Sequence, residues 1–320
     1  MGFHPLLVGH SAWRRWSAIA GVVRARLARR DTPGHFTSLR PACQRPQEND
    51  GAAELGGQVM RVLVTGAGRG IGRAVCDRLA GAAAAAGTPL SLAACGASHP
   101  EELETLQREL AAQGAEVLIL TGGLADPLVP ADLVAQAVAR LGGLDAVVAN
   151  AGISRTGSLV DLQLPEWDQL FAVNLRAVWL LCQAAYPALK QSGGAIVTVG
   201  SMSGLQPQPG LGAYSVSKAG LIMLTRLMAQ EWGGDGIRVN CVSPGMVLTP
   251  MTAANYRDDD FRARREAMVP AGRIADPDRD IAGAICFLLG PDAGYLAGAN
   301  IVADGGVSDS MLRLLPARRS

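Results

Sequence analysis

The 320-residue chain is 49% apolar with a net charge of +1. That is ample for one sizeable core and gives no overall field to draw nucleic acid or an acidic partner. The six cysteines (Cys43, Cys76, Cys95, Cys182, Cys241 and Cys286) are scattered without CxxC spacing, which speaks against a zinc site or disulfide framework and for buried thiols in a reducing compartment. The four histidines (His4, His10, His35 and His99) all lie early in the chain, so the C-terminal two-thirds has no Ser-His-Asp triad and no histidine-ligated metal.

Residues 1–59 differ from the rest. They are rich in arginine (Arg14, Arg15, Arg24, Arg26, Arg29, Arg30, Arg40, Arg45) and have no acidic residue before Asp31. Three readings fit: a mitochondrial presequence over Trp13 to Arg30, a twin-arginine signal at Arg14-Arg15 interrupted by Arg24, or a misassigned start with Met60 as the true one. The segment is expected to lie outside the fold and to be disordered. No apolar run reaches the length of roughly 20 residues that a membrane span requires. The expected location is the cytoplasm, or the mitochondrion if the presequence is genuine.

From Met60 onward, short β-branched runs alternate with helical patterns. Arg61–Val64 predicts a strand, followed by a glycine loop, Thr65-Gly66-Ala67-Gly68-Arg69-Gly70-Ile71-Gly72, and a helix to Leu79. Strand, glycine loop, helix is the order in which backbone amides and a helix N-terminus receive a pyrophosphate. Further strands are predicted at Leu90–Cys95, Val117–Leu120, Leu144–Ala149, Ala195–Val199, Arg238–Val242 and Asn300–Ala303. Helices are expected over Pro100–Gln113, Pro130–Leu141 and Pro165–Leu189 (or two helices abutting near Asn174), then from Tyr214 and over Asp278–Leu289. Alternating strands and helices predict a Rossmann-type, doubly wound parallel α/β sheet of about seven strands in a single domain, residues 60–320, with helices on both faces.

The chemistry-bearing stretch begins where the Ala195–Val199 strand gives out. Ser201 stands at that C-terminal strand end, the usual place for a ligand in an open α/β sheet. Gly200-Ser201-Met202-Ser203-Gly204 is not a G-x-S-x-G nucleophile elbow, because its central residue is Met202. Tyr214 and Lys218 follow, four residues apart and on one face of a helix. A free phenol titrates near pH 10, and a neighbouring ammonium favours the phenolate, so Lys218 is expected to lower Tyr214 into the range of a general acid/base.

Together these residues resemble the short-chain dehydrogenase/reductase family, from about Met60 to Gly306. The motifs occur in family order: Thr65–Gly72, Asn150-Ala151-Gly152, Asn174, Ser201, Tyr214-x-x-x-Lys218, Pro244-Gly245 and Asp304-Gly305-Gly306. The texture is similar to bacterial 3-oxoacyl-[acyl-carrier-protein] reductases and their sugar- and alcohol-oxidising relatives. The resemblance implies an NAD(P)(H)-dependent interconversion of a carbonyl and a secondary alcohol. Ser201 would hold the substrate oxygen and Tyr214 would pass the proton. Lys218 would tune the tyrosine and bind the nicotinamide ribose, and Asn174 would hold a relay water. Gly66, Arg69, Gly70, Ile71, Gly72, Asn150, Ala151, Gly152, Pro244, Gly245 and Thr249, with Tyr214 and Lys218, would line the cofactor. It also implies a homotetramer.

Cofactor choice turns on Ala94-Cys95-Gly96-Ala97-Ser98, which lacks the carboxylate that would favour NAD(H). Arg69, helped by Ser98, is expected to face a 2′-phosphate, which favours NADP(H). Gly122-Gly123-Leu124-Ala125-Asp126 departs from the family, whose usual aspartate near 123 contacts adenine; Asp126 substitutes only if the loop is shifted. Segment 246–276 is expected to cover the substrate, with Met246, Met251, Tyr256 and Phe261 either touching it or packing two short helices. Arg257, Arg262, Arg264, Arg265 and Arg273 could greet an acidic acyl-carrier protein, diluted by the solvated run Asp258–Asp260. Two alternatives stay open: an NAD-linked sugar or ring-alcohol dehydrogenase, and a nucleotide-sensing binding protein without catalysis.

Overall fold

The computed structural model describes residues 60–310. The expectations for residues 1–59, and the last ten residues of the 60–320 domain, lie outside the described residues.

Seven parallel strands are ordered β3-β2-β1-β4-β5-β6-β7: β1 (Met60–Thr65), β2 (Leu90–Gly96), β3 (Glu116–Thr121), β4 (Ala146–Ala149), β5 (Ala195–Val199), β6 (Arg238–Pro244) and β7 (Asn300–Ala303). Central strands such as β4 and β5 are buried along their whole length. A strand covered on both faces reads as a continuous apolar run, which is why these were visible in sequence. Helices α1 (Gly70–Ala86), α2 (Pro100–Ala111), α3 (Val129–Leu141), α4 (Leu164–Phe171), α5 (Ala177–Ser192), α6 (Ala213–Trp232), α7 (Asp259–Met268) and α8 (Gly283–Leu289) complete the elements that matter here. One core cluster joins α1, α2 and α8 to the sheet, and a second joins α3, α5 and α6 to its other face. This is the doubly wound Rossmann-type arrangement expected. No helix among the described residues is long and apolar enough to cross a membrane.

Two features of this frame position the site. The strand order reverses between β1 and β4, and such a switch point opens a crevice at the carboxyl ends of the strands. Val64 of β1 is registered with Val148, and Ala149 with Thr198. Val199 is registered with Val242. The loops that follow β1, β4, β5 and β6 therefore emerge side by side. The second feature is the junction of α4 and α5, where Ala172–Arg176 forms a π-helical turn closed by the bond from Ala177 N–H to Ala172 O. The expectation of two helices abutting near Asn174 is met by this turn, which holds Asn174 at its centre. One extra residue per turn re-aims the side chains it carries, and such turns gather at functional sites.

Segment 246–276 contains a 3₁₀ turn (Ala253–Tyr256) and α7. Asp258 caps α7 by accepting from Phe261 N–H at 3.0 Å, and Asp259 and Asp260 occupy its first turn. The acidic run is thus a helix start, where carboxylates oppose the positive end of the helix dipole.

Candidate active site

The glycine loop is built by contact. A Cβ added to Gly72 would lie 2.2 Å from Gly66 O and 2.6 Å from Asn150 Nδ2, and one on Gly66 would lie 2.9 Å from the same amide. Gly66 and Gly70 have φ of 66° and 58°, a region open to glycine. Asn150 donates from Nδ2 to Thr65 O at 2.9 Å and to Gly66 O at 3.2 Å. Ala151 N–H donates to Thr65 Oγ1 at 3.0 Å. Asn150-Ala151-Gly152 thus sets the loop's shape, and the N-terminus of α1, with Ile71 in its first turn, faces the crevice. Thr249 and Pro250 close over it, within 3.4 Å and 3.7 Å of where a Gly70 Cβ would stand. Backbone amides, a helix N-terminus and missing side chains are the donor set and the clearance a pyrophosphate requires.

Beside this cradle, Ser201 follows β5 and caps a short 3₁₀ turn, its Oγ accepting from Ser203 N–H at 3.1 Å. Gly204 lets that turn close on α6: a Cβ there would be 2.8 Å from the Lys218 carbonyl carbon. Lys218 is 4% exposed and donates from Nζ to Val199 O at 2.7 Å. The same nitrogen lies 5.8 Å from the centre of the Tyr214 ring. Asn174, fully buried, accepts from Ile153 N–H at 2.9 Å and donates to Ile153 O at 2.9 Å and to Ser217 Oγ at 3.2 Å. Gly152 touches both groups, since a Cβ there would lie 3.3 Å from Asn174 Oδ1 and 3.5 Å from Lys218 Nζ. Pro244 ends β6, and Gly245 N–H bonds to Ala303 O at 3.0 Å. The structure gathers these residues at one end of the sheet.

The electrostatics correct one expectation. Burial pushes the Tyr214 phenol above its ordinary value, and the nearby Ser201 hydroxyl pulls the other way more weakly. The expected lowering by Lys218 is outweighed by burial of the phenol, and burial also pushes the Lys218 ammonium down to about 8. Burial thus favours the neutral, proton-bearing form of Tyr214.

On the adenosine side Arg69 is about half exposed, its Nη1 3.8 Å from Glu102 Oε1. Glu102, in the first turn of α2, also comes within 3.3 Å of where a Gly68 Cβ would stand. Sequence reading passed over Glu102 because it seeks a carboxylate at the end of β2, whereas this one returns from the following helix. Ser98 is exposed. Asp126 does not stand in for the absent aspartate at 123: its Oδ1 accepts from Leu128 N–H at 2.9 Å, which commits it to its own turn. In the covering segment Met246 is buried and carries Arg265 on its sulfur, Phe261 packs under the Arg265 guanidinium, and Met251 is exposed. Packing accounts for Met246 and Phe261.

A family model described as enoyl-(acyl carrier protein) reductase matches residues 66–308. A 3-oxoacyl-[acyl-carrier-protein] reductase of Staphylococcus aureus is 34% identical over 246 residues, 77% of this chain and 96% of that protein. A (3R)-3-hydroxyacyl-CoA dehydrogenase of Canis lupus familiaris is 38% identical over 257 residues, covering 77% and 95%. Among solved structures, a short chain dehydrogenase of Burkholderia cenocepacia in complex with NADP superposes with a TM-score of 0.70 at 34% identity, covering 78% of this chain and 97% of that one. The chain belongs to the short-chain dehydrogenase/reductase family and is an oxidoreductase of it.

Proposed function

We propose that the protein interconverts a carbonyl and a secondary alcohol with NADP(H), using Tyr214 as the proton donor and acceptor. The observation that carries this is the convergence of Ser201, which follows β5, with Tyr214 and Lys218 of α6 beside the glycine cradle. The bound nicotinamide would supply or accept the hydride. Gly66, Arg69, Gly70, Ile71 and Gly72 would hold its pyrophosphate and adenosine ends. Asn150-Ala151-Gly152, Pro244-Gly245 and Thr249 would border the rest.

The protein's own groups do the remainder. Ser201 Oγ donates to the substrate oxygen and stabilises charge growing there. Tyr214, protonated because it is buried, gives that oxygen its proton in the reductive direction and takes it back in the oxidative one. Lys218 would bind the nicotinamide ribose. Both amide protons of Asn174 are already used, so a relay water would be held by its main chain or the second lone pair of Oδ1.

The substrate we favour is a 3-oxoacyl thioester, consistent with the reductase and dehydrogenase relatives above. An acyl-carrier protein would meet the exposed Arg257 and Arg264 on the covering segment, whereas Arg262 pairs with Glu266 and Arg273 with Asp280. We also propose a homotetramer. The outer faces of α5 and α6 expose Trp179, Val216, Met223 and Leu227 beside a groove of about 570 Å³ lined by Phe171, Leu175 and Leu224.

Glu102 favours one second reading, an NAD-linked alcohol dehydrogenase. Its carboxylate beside the glycine loop suits a ribose hydroxyl and opposes a 2′-phosphate. Titration with NADPH and NADH decides between the two. NADPH should bind about tenfold more tightly, as a charge-assisted contact of Arg69 with the phosphate implies. Arg69→Ala should remove that preference. Equal affinities in the wild type would reject the NADP(H) reading.

A further inference from the structure

Tyr214 sits in the first turn of α6, and that turn is poorly anchored. The residue preceding the helix is Gly212, which offers no side-chain cap, and no acidic residue stands in the first turn. Uncapped first turns leave amides unsatisfied and fray. Among the described residues, the one main-chain bond holding Tyr214 from outside the helix is its N–H to Leu211 O at 3.1 Å. A side-chain tie adds a second hold, on the carbonyl of Tyr214. Ser217, fully buried, donates from Oγ to Tyr214 O at 2.7 Å and accepts from Asn174 Nδ2 at 3.2 Å.

The direction of every bond in this chain is fixed by chemistry. Ile153 N–H can only donate, so it selects Oδ1 of Asn174 and turns Nδ2 toward Ile153 O and Ser217. An amide nitrogen can only donate, so Ser217 must accept from it and spend its own proton on the Tyr214 carbonyl. The loop after β4, the π-helical turn and the start of α6 are thereby joined through one hydroxyl.

We propose that Ser217 is a positioning residue for the reaction: held between the Asn174 amide and the Tyr214 carbonyl, it fixes the first turn of α6 and with it the place of the phenol beside Ser201 and Lys218. This rests on the reading of Tyr214 as the proton-transferring group. Removing the hydroxyl strands one amide proton of the buried Asn174 and takes the anchor from the turn that carries the phenol.

The test compares Ser217→Ala, Ser217→Thr and, as a control, Thr225→Val. Thr225 is another fully buried hydroxyl of α6, bonded to Leu221 O at 2.8 Å and Thr198 Oγ1 at 2.7 Å, away from the site. Turnover is measured with NADPH and an acetoacetyl thioester. The Tyr214 phenol is titrated by NMR of ring-labelled tyrosine, assigned with Tyr214→Phe. Ser217→Ala should lower kcat about tenfold, the rate equivalent of one lost hydrogen bond, with NADPH affinity unchanged. Its phenol midpoint should fall toward the ordinary tyrosine value as water reaches the loosened turn. Ser217→Thr should recover both, and Thr225→Val should lose stability but move neither. If Ser217→Ala does not fold, Ser217→Cys, of similar size with a weaker bond, carries the same comparison. A phenol midpoint and kcat that stay at wild-type values in the hydroxyl-deleted protein overturn the proposal. The titration does not depend on turnover, so a wild type inactive on every carbonyl sinks the reading of Tyr214 while Ser217's hold on the phenol is still judged.

Discussion

Lys218 carries the largest electrostatic consequence at the scale of single residues. Its ammonium is buried, with Val199 O as its hydrogen-bond partner, and sits at about 8 instead of near 10.4. Between these values the unfolded chain holds a proton that the native state has released, so this residue makes stability rise with pH across that window. Urea unfolding of the wild type and Lys218→Met should therefore diverge from about pH 8 to 10.4, the wild type gaining up to about 3 kcal/mol relative to the variant. A difference that stays flat would show that Lys218 is not desolvated. Spacing put Tyr214 and Lys218 on one helix face, Ser201 was legible from its place at a strand end, and the roles of the three came from the family resemblance. The sign of the Tyr214 shift was not legible. It depends on how deeply the phenol and the ammonium are both buried, and burial is set by elements far apart in sequence.

Among the elements, the glycine loop and α1 show how differently two glycines of one helix can behave. Gly72 lies against the Gly66 carbonyl, where a methyl group would overlap backbone that has nowhere to move. Gly81, in the same helix, has nothing within 4 Å of a Cβ. Gly72→Ala should destabilise by about 1–3 kcal/mol and abolish NADPH binding, while Gly81→Ala should stabilise by about 0.5–1 kcal/mol. Thermal melts with and without NADPH check both, and a tolerated Gly72→Ala would remove the cradle from the account. The seven strands were legible because each is a short β-branched run closed by turn residues. The π-helical turn was half legible: an ambiguity at Asn174 was visible, but the extra residue that re-aims it leaves no compositional mark. The Arg69–Glu102 contact was hidden for a related reason, since α2 folds its first turn back onto a loop some thirty residues earlier.

For the molecule as a whole, the exposed apolar residues of α5 and α6 are the feature a lone subunit leaves unexplained. Met223 and Leu227, 61% and 52% exposed, lie one turn apart on α6. Sedimentation should show a tetramer, and Met223→Asp should give smaller species by burying a charge in the interface. A monomeric wild type would reject that assembly. If the phenol of Tyr214 moves the proton and the glycine cradle holds the cofactor independently, substitution at Tyr214 separates rate from binding. The most direct measurement is NADPH binding and single-turnover reduction of an acetoacetyl thioester by the wild type and by Tyr214→Phe. The variant should bind NADPH as tightly as the wild type and lose at least about a hundredfold in rate, the scale of general acid catalysis. A Tyr214→Phe protein that turns over like the wild type would contradict the account.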